Sequence, residues 1–386
     1  MHLLQPDSKR DQVAMPKTPL TRVPLANPII DEEMKEAALH ALQNEHFVGG
    51  ESVHKFEEEF ALYCGTKFAV STASGTAALI LSLIATGVRG GQVLTTPASF
   101  VATANSIIHA GATPRFADIN MENYNIDPAE VRKAIGKETK AILPVHLFGY
   151  PAKIDQLHEI AFDSGTPIIE DACQAHGASY RGKKVGSLGD VGCFSFFPSK
   201  NMMVAGDGGM ITTDNESIAD SVTSLRNCGR AKGSNRHCMI GFTERLNTVQ
   251  AAVGRVQLKR LDAWNQNRRI IASKYDDLLS DLKEIITPPK GSFAAPVYHM
   301  YVIRCKQRDE LRAWLDKAGI ETGIHYPAPI HLQPIYREMF NYSEGEFPNS
   351  EVLCRNALSI PMHPGLTPDE IEFVSEKIHE FYESNQ

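Results

Sequence analysis

The sequence lacks the cysteine patterns of disulfide frameworks and zinc sites. It contains seven cysteines, an odd number, and no C-x-x-C pair occurs. Small disulfide-rich secreted domains and zinc ribbons both need such regularly spaced cysteines. Cys228, His237 and Cys238 lie near one another in the chain, but their spacing matches no zinc pattern, so no metal site is predicted. These absences favour a protein of the reducing cytoplasm.

A hydrophobic run long enough to cross a membrane is also missing. The first twenty residues mix charges, prolines and short apolar pieces, which predicts a flexible extension over residues 1–23 rather than a signal peptide. Residues 68–88 carry no charge, but serines, threonines and glycines interrupt them. A buried strand, a turn and a buried helix explain this segment better than a membrane span does.

An excess of positive charge is absent as well. Lys and Arg number 39 against 46 Asp and Glu, which gives a formal charge of −7, and no basic run occurs. Nucleic acid and anionic membrane surfaces are therefore not expected as main partners. The 386 residues, 42% of them hydrophobic, have the composition of a globular protein and exceed the roughly 250 residues of one core. A large domain with a smaller one is predicted.

Short apolar segments alternate with helical patterns between residues 67 and 213. Strands joined by helices of this length pair in parallel through crossovers, so we predict an α/β fold with a mostly parallel seven-stranded sheet between helices. The predicted strands are 67–72, 92–97, 113–119, 141–147, 167–172, 192–197 and 209–213.

Beyond the sheet, a long helical stretch is predicted over 248–282, with a break near Asp262, Ala263 and Trp264. The sequence pattern of the residues that follow is typical of a small α+β unit. We therefore expect a large domain over 24–275 and a small C-terminal domain over 276–386.

Three groups of polar residues follow predicted strands, at the sheet edge where ligands of open α/β folds bind. Ser74, Gly75 and Thr76 open an apolar helix and are typical of a phosphate cradle, although a simple helix cap explains them equally well. Asp171 ends a buried strand and could face a protonated heterocycle or cap the next segment. Lys200 follows another strand in an apolar setting; it is either a surface lysine or an amine with a lowered pKa that can form an imine.

The glycines that follow Lys200 do not form a dinucleotide-binding fingerprint, because they precede a strand and do not match G-x-G-x-x-G. A phosphate cradle, a carboxylate for a ring nitrogen and an imine-forming lysine are together what pyridoxal phosphate requires. This combination predicts a pyridoxal-phosphate enzyme.

The chain resembles the DegT/DnrJ/EryC1/StrS family of sugar aminotransferases, which have the aspartate aminotransferase-like architecture of fold type I. The resemblance extends from about residue 24 to the last helix, and residues 168–201 carry it most strongly. The matching segments are FVGGESVHKFEEEFALYCGTKFAV (47–70), SGTAAL (74–79), SFVATANSI (99–107), VHLFGYP (145–151), IIEDACQAHGASYRGKKVGSLGDVGCFSFFPSKN (168–201), GGMITT (208–213) and RLNTVQAAVGRVQL (245–258).

The resemblance implies a role for individual residues. Lys200 corresponds to the lysine that binds the cofactor covalently and moves protons, and Asp171 to the carboxylate that pairs with the pyridine nitrogen. The resemblance also implies that Gln174 lies next to the phenolic oxygen of the cofactor and that Phe100 stacks on its ring. The implied contacts of the cofactor phosphate are Ser74, Gly75, Thr76 and Ser195. A second set, implied on the sugar-nucleotide side, consists of His325, Tyr326 and His331.

One position departs from the family pattern. Many members carry Asn in a G-x-N-x-R segment that reaches the cofactor phosphate of the neighbouring subunit, whereas this chain has Thr243 there. A threonine hydroxyl can still donate a hydrogen bond, with less reach, so Thr243 is retained as an expected contact across a homodimer with shared active sites.

The family resemblance implies an aminotransferase that uses pyridoxal phosphate to move an amino group from L-glutamate to a keto group of a nucleotide-linked deoxysugar. Family members that remove a sugar hydroxyl carry His in place of the lysine, and this chain has Lys200. A pyridoxal-phosphate lyase or dehydratase on the same scaffold is the alternative. A regulatory protein that retains the fold would be expected to lack the lysine or to carry an added DNA-binding segment. The sugar, the nucleotide and the aminated ring position stay open.

Overall fold

The computed structural model describes residues 22–291 and 293–384. The predicted extension over residues 1–23 lies outside the described residues except for Arg22 and Val23. Val23 is buried and forms a parallel bridge with Ile320. Among the described helices, none is both long enough and apolar enough to cross a membrane.

The described chain alternates helices and strands over most of its length. The helices are α1 (Glu32–Asn44), α2 (Glu51–Cys64), α3 (Gly75–Ala85), α4 (Ala102–His109), α5 (Pro128–Ala134), α6 (Ile154–Ser164), α7 (Glu216–Leu225), α8 (Thr248–Leu278), α9 (Arg308–Lys317), α10 (Pro334–Phe340), α11 (Pro348–Asn356) and α12 (Pro368–Ser384). The strands are β1 (Phe68–Thr72), β2 (Gln92–Thr95), β3 (Thr113–Phe116), β4 (Thr139–Ile142), β5 (Ile169–Asp171), β6 (Ser179–Tyr180), β7 (Lys183–Lys184), β8 (Val191–Ser195), β9 (Gly209–Thr213), β10 (Ala294–Ala295), β11 (Tyr301–Arg304) and β12 (Ala357–Ile360).

Seven strands form one sheet in the order β1, β9, β8, β5, β4, β2, β3. Two parallel bridges, Ile142 with Ile168 and Val145 with Asp171, join the four-stranded part to the three-stranded part. Every neighbouring pair is parallel except the two pairs that β9 makes. The predicted α/β fold with a mostly parallel seven-stranded sheet is confirmed.

The fourth strand is shorter than predicted. The segment 141–147 was expected to be extended throughout, but β4 begins at Thr139 and ends at Ile142. Pro144 has no backbone N–H to contribute to the sheet, and the chain turns through a short 3₁₀ segment, Leu147–Gly149. This turn brings Phe148 beside the site described below.

Helices cover both faces of the sheet, because successive side chains of a strand point to opposite sides. On β8, Phe194 packs against Phe60 of α2, with ring centroids 5.0 Å apart. Its neighbour Cys193 points the other way and belongs to the cluster around Leu79 of α3. Both faces are therefore apolar, which explains the continuous hydrophobic strands of the sequence.

The predicted break in the long helix is wrong. The α8 helix runs without interruption from Thr248 to Leu278. Asp262 accepts a hydrogen bond from the hydroxyl of Tyr63 at 2.5 Å, and Trp264 packs against Met34 of α1. Neither side chain competes with the helix backbone, so the helix continues.

The C-terminal part has a core of its own. Strands β11 and β12 pair antiparallel, and their apolar side chains pack with α9 and α12. The end of α8 contributes Ile271 and Tyr275 to the same cluster. The α8 helix thus connects this core to the seven-stranded sheet, and the segment between α8 and β11 lies against the site.

Candidate active site

A cavity of about 400 Å³ opens at the carboxyl ends of β1, β2, β5 and β8. Most of the site residues predicted from the sequence line this cavity. Those that line it are Ser74, Gly75, Thr76, Phe100, Asp171, Gln174, Ser195, Lys200, His325 and Tyr326. Because the first eight follow different strands of one sheet, the shared edge explains why they meet.

The start of α3 forms one wall of the cavity. The Ser74 hydroxyl accepts a hydrogen bond from the backbone N–H of Ala77 at 3.1 Å, so Ser74 caps the helix. The first N–H groups of a helix have no acceptor within it and carry partial positive charge. A Cβ at Gly75 would lie only 2.5 Å from Cβ of Ser195. The absence of that atom lets the start of α3 and the end of β8 approach closely and form a cradle suited to an anion.

Asp171 rather than Glu170 faces the cavity, since adjacent residues of a strand point to opposite sides. The Glu170 carboxylate is buried behind the sheet, where it accepts hydrogen bonds from the backbone N–H groups of Gly186, Leu188 and Gly189. Glu170 therefore stabilises a loop, and Asp171 is the carboxylate available to a ligand in the cavity.

Lys200 follows β8 and lines the same cavity. Its side chain is partly buried. Burial lowers the pKa of its amine, while the nearby Cys173 and Asp171 act in the opposite direction. A lowered pKa increases the share of neutral amine at physiological pH, which is the form that attacks a carbonyl.

Gln174 connects the sheet to the C-terminal part. Its Oε1 accepts a hydrogen bond from the backbone N–H of Phe148 at 2.8 Å, and its Nε2 donates to the hydroxyl of Tyr326 at 3.1 Å. The Tyr326 ring lies 5.9 Å from that of Phe100, which is half-exposed at the cavity mouth. The two rings and the amide thus close one side of the cavity.

Two predicted residues are not among those that line the cavity. His331 is buried, 3.1 Å from a carboxylate oxygen of Glu351 and 4.7 Å from the Phe347 ring, which gives it a packing role within this chain. Thr243 is exposed on a hairpin, with its hydroxyl 3.3 Å from Sγ of Cys228.

The sequence reasoning missed a second layer behind Asp171. The Thr103 hydroxyl donates to Oδ2 of Asp171 at 2.7 Å, and the Ser99 hydroxyl lies 2.7 Å from that of Thr103. Both residues line the cavity. Their position just after β2, beside Phe100, is the signal that could have identified them. His299 also lines the cavity and was not expected there.

Known proteins resemble the chain over nearly its whole length. A model of the DegT/DnrJ/EryC1/StrS aminotransferase family matches residues 28–379. A protein named pleiotropic regulatory protein, from Geobacillus stearothermophilus, is 41% identical over 92% of this chain and 93% of its own. The dTDP-3-amino-3,4,6-trideoxy-alpha-D-glucose transaminase of Streptomyces venezuelae is 38% identical over 95% and 97%.

A solved structure agrees with the sequence comparison. The crystal structure of S. venezuelae DesV in complex with a ketimine intermediate superposes with a TM-score of 0.90 at 37% identity, covering 94% of this chain and 99% of that one. The fold type I architecture inferred from the sequence is thereby confirmed. Sequence, cavity and fold agree: the chain belongs to the DegT/DnrJ/EryC1/StrS aminotransferase family.

Proposed function

We propose that the chain is a pyridoxal-phosphate-dependent aminotransferase that moves an amino group from L-glutamate to a keto group of a nucleotide-linked deoxysugar. The observation that carries the proposal is the meeting of Lys200, Asp171 and the anion cradle around Gly75 in one cavity. A relative named as a dTDP-amino-sugar transaminase supports the substrate class.

The residues of the cavity fit the cofactor. The close approach of Gly75 to Ser195, at the first N–H groups of α3, suits a phosphate. Asp171 suits a protonated ring nitrogen, and the half-exposed ring of Phe100 offers a face for stacking. Lys200 supplies the amine. When bound, pyridoxal phosphate supplies a carbonyl carbon for covalent attachment of amines and a ring that stabilises negative charge on the neighbouring carbon.

The protein contributes proton transfer and electrostatics to this chemistry. Lys200 Nζ, with its lowered pKa, removes the proton beside the amine of the donor and returns one at the acceptor carbon, as general base and then general acid. The Asp171 carboxylate holds a proton on the ring nitrogen and so favours the charge that develops during the reaction. Donor and acceptor react in turn at one site, so ping-pong kinetics are expected.

A symmetric homodimer with shared active sites is part of the proposal. Apolar side chains remain exposed along α1 and the segment after it, among them Leu39, Leu42, Phe47 and Val48. Val48 bridges to Asn247, four residues beyond Thr243. This apolar surface therefore continues toward the Thr243 hairpin, which supports an interface that brings Thr243 close to the partner's cofactor phosphate. The seven unpaired cysteines favour the cytoplasm as the compartment.

The first test is the visible absorbance of the purified protein before and after addition of L-glutamate. The yellow absorbance of lysine-bound cofactor should bleach as the amino group is transferred. An unchanged band would remove glutamate as donor and favour another amino donor or the lyase alternative. Absence of any band after incubation with pyridoxal phosphate would contradict the cofactor assignment. Keto-sugars linked to dTDP, UDP and GDP then identify the acceptor.

A further inference from the structure

His299 is a buried polar side chain on the cavity wall with no assigned task. It is 4% exposed, and neither ring nitrogen has a hydrogen-bond partner among the residues that the structure describes. The other histidine of the wall, His325, is held by the Ser359 hydroxyl 2.8 Å from its Nδ1. Buried polar groups in proteins are almost always paired, so an unpaired ring on the wall of a binding cavity indicates a missing ligand.

The backbone at this point is held in an unusual conformation. Tyr298, which precedes His299, has a φ of +43°, in the left-handed region that a residue with a side chain rarely adopts. The guanidinium of Arg268, on α8, donates to the carbonyl oxygens of Tyr298 and His299 at 3.1 and 3.4 Å, and to that of Met362 at 3.0 Å. Two of these bonds hold the turn at Tyr298 and His299, and the third connects the same buried side chain to Met362. Strained backbone of this kind concentrates at functional sites.

The charges around His299 are positive. Arg268 is buried, and its pKa is lowered only to about 10, so it remains a cation. It forms no ion pair with a carboxylate of the described chain; its guanidinium contacts are carbonyl oxygens. Burial lowers the pKa of the His299 ring well below its usual value, and the positive charges of Lys200 and Arg268 lower it further. A buried cation without a counter-ion is costly, and an anion bound beside it removes that cost.

No arginine lines the described part of the cavity, although glutamate carries two carboxylates that need partners. The phosphate cradle lies at α3, at the sheet edge, whereas His299 precedes β11 of the C-terminal part. His299 and the phosphate cradle thus belong to different elements of the cavity wall, and an anion at His299 is assigned to a substrate rather than to the cofactor. Of the substrates in the proposed reaction, the amino donor is the one whose anionic group lies within a few bonds of the reacting amine.

Resting on the proposed function, we propose that His299 donates a hydrogen bond to a carboxylate of the amino donor, and that Arg268 holds the backbone that presents it. The site takes a carboxylate of a small amino donor such as glutamate. His299 is thus a binding residue for the donor half of the reaction, and it has no partner until the donor arrives.

The test is the affinity of the cofactor-loaded enzyme for glutarate, a five-carbon dicarboxylate that has no amine and cannot react. Isothermal titration calorimetry compares wild type with His299→Leu and His299→Asn. Loss of a hydrogen bond to a charged group should weaken glutarate binding by about ten- to a hundredfold. His363→Leu is the matched control, because His363 is also buried with both ring nitrogens unpaired but does not line the cavity.

Retention of the yellow cofactor band shows that each variant still has a folded site. Two variants with the band and with wild-type glutarate affinity would overturn the inference. Loss of the band in both, with His363→Leu intact, would also overturn it, because His299 would then support the fold or the cofactor. Bleaching of wild type by L-glutamate tests the proposed function separately. If it bleaches and His299→Leu binds glutarate normally, only the role of His299 fails.

Discussion

The hydroxyl of Thr103 donates a hydrogen bond of 2.7 Å to Oδ2 of Asp171, and the Ser99 hydroxyl lies 2.7 Å behind it. The other oxygen of Asp171 accepts from the backbone N–H of Cys173 at 3.2 Å. Both oxygens of this carboxylate are thus fixed by the protein. A carboxylate held in this way cannot turn away from a ring nitrogen in the cavity, which is what preorganised electrostatic stabilisation requires.

Thr103→Val should therefore lower the rate of the half-reaction with L-glutamate by about tenfold or more, the effect of losing a hydrogen bond to a charged group. Valine has nearly the shape of threonine, so packing is preserved. Thr103→Ser keeps the hydroxyl and should retain most of the rate. Stopped-flow absorbance measures both variants. Equal rates for the valine and serine variants would show that Thr103 does not position Asp171.

Lys200→Ala should abolish transamination while leaving the fold intact, because Lys200 provides both the covalent attachment and the proton transfer. The variant should bind pyridoxal phosphate without the band of the lysine-bound form. Lys184→Ala is a matched control: burial lowers the pKa of Lys184 as well, but this side chain stacks on Tyr63 away from the cavity. Circular dichroism confirms folding. Transamination by Lys200→Ala at the wild-type rate would refute the assignment.

The sequence was sufficient to predict the sheet and the edge that holds the site. Local periodicity marks each strand, and ligand-binding residues of an open α/β sheet follow the strands directly, so Ser74, Asp171 and Lys200 are found by position alone. His325, which the family resemblance implied, also lines the cavity. These features depend on local pattern and on one general rule of topology.

The remaining features depend on contacts between distant segments. His331 follows His325 closely in sequence, yet pairing with Glu351 on α11 turns it into the protein interior. His299 lines the cavity with its backbone carbonyl bound to Arg268 on α8, a residue 31 positions away in the chain. The sequence around Asp262 and Trp264 predicted a helix break, but Asp262 binds Tyr63 and Trp264 packs against Met34, and the helix continues. No local pattern encodes such pairs.

Gly75→Ala should weaken binding of pyridoxal phosphate by at least about tenfold. The new methyl group would lie 2.5 Å from Cβ of Ser195 and 3.0 Å from Sγ of Cys173, and the Cβ of Ser195 belongs to a β-strand that cannot easily move. The cradle would open and the helix amides would retreat from the phosphate. Gly136→Ala is the control, because a Cβ there meets no atom within 4 Å. Titration of the apoprotein with the cofactor gives both affinities, and equal values would exclude a cradle at Gly75.

Acid should destabilise the protein through His176. This residue is buried between Phe194 and Phe196, and burial, followed by the positive charge of Lys200, lowers its pKa from 6.5 to about 3. Below about pH 6.5, His176 therefore binds a proton in the unfolded chain but not in the folded chain. The free energy of unfolding is therefore unaffected by His176 above pH 6.5. It decreases as the pH falls from 6.5 toward 3, by up to about 1.4 kcal/mol per pH unit. Thermal unfolding midpoints of wild type should fall more steeply between pH 6.5 and 4.5 than those of His176→Leu, whereas the exposed His54→Gln should follow wild type. Parallel curves for wild type and His176→Leu would show that His176 accepts a proton in the folded state.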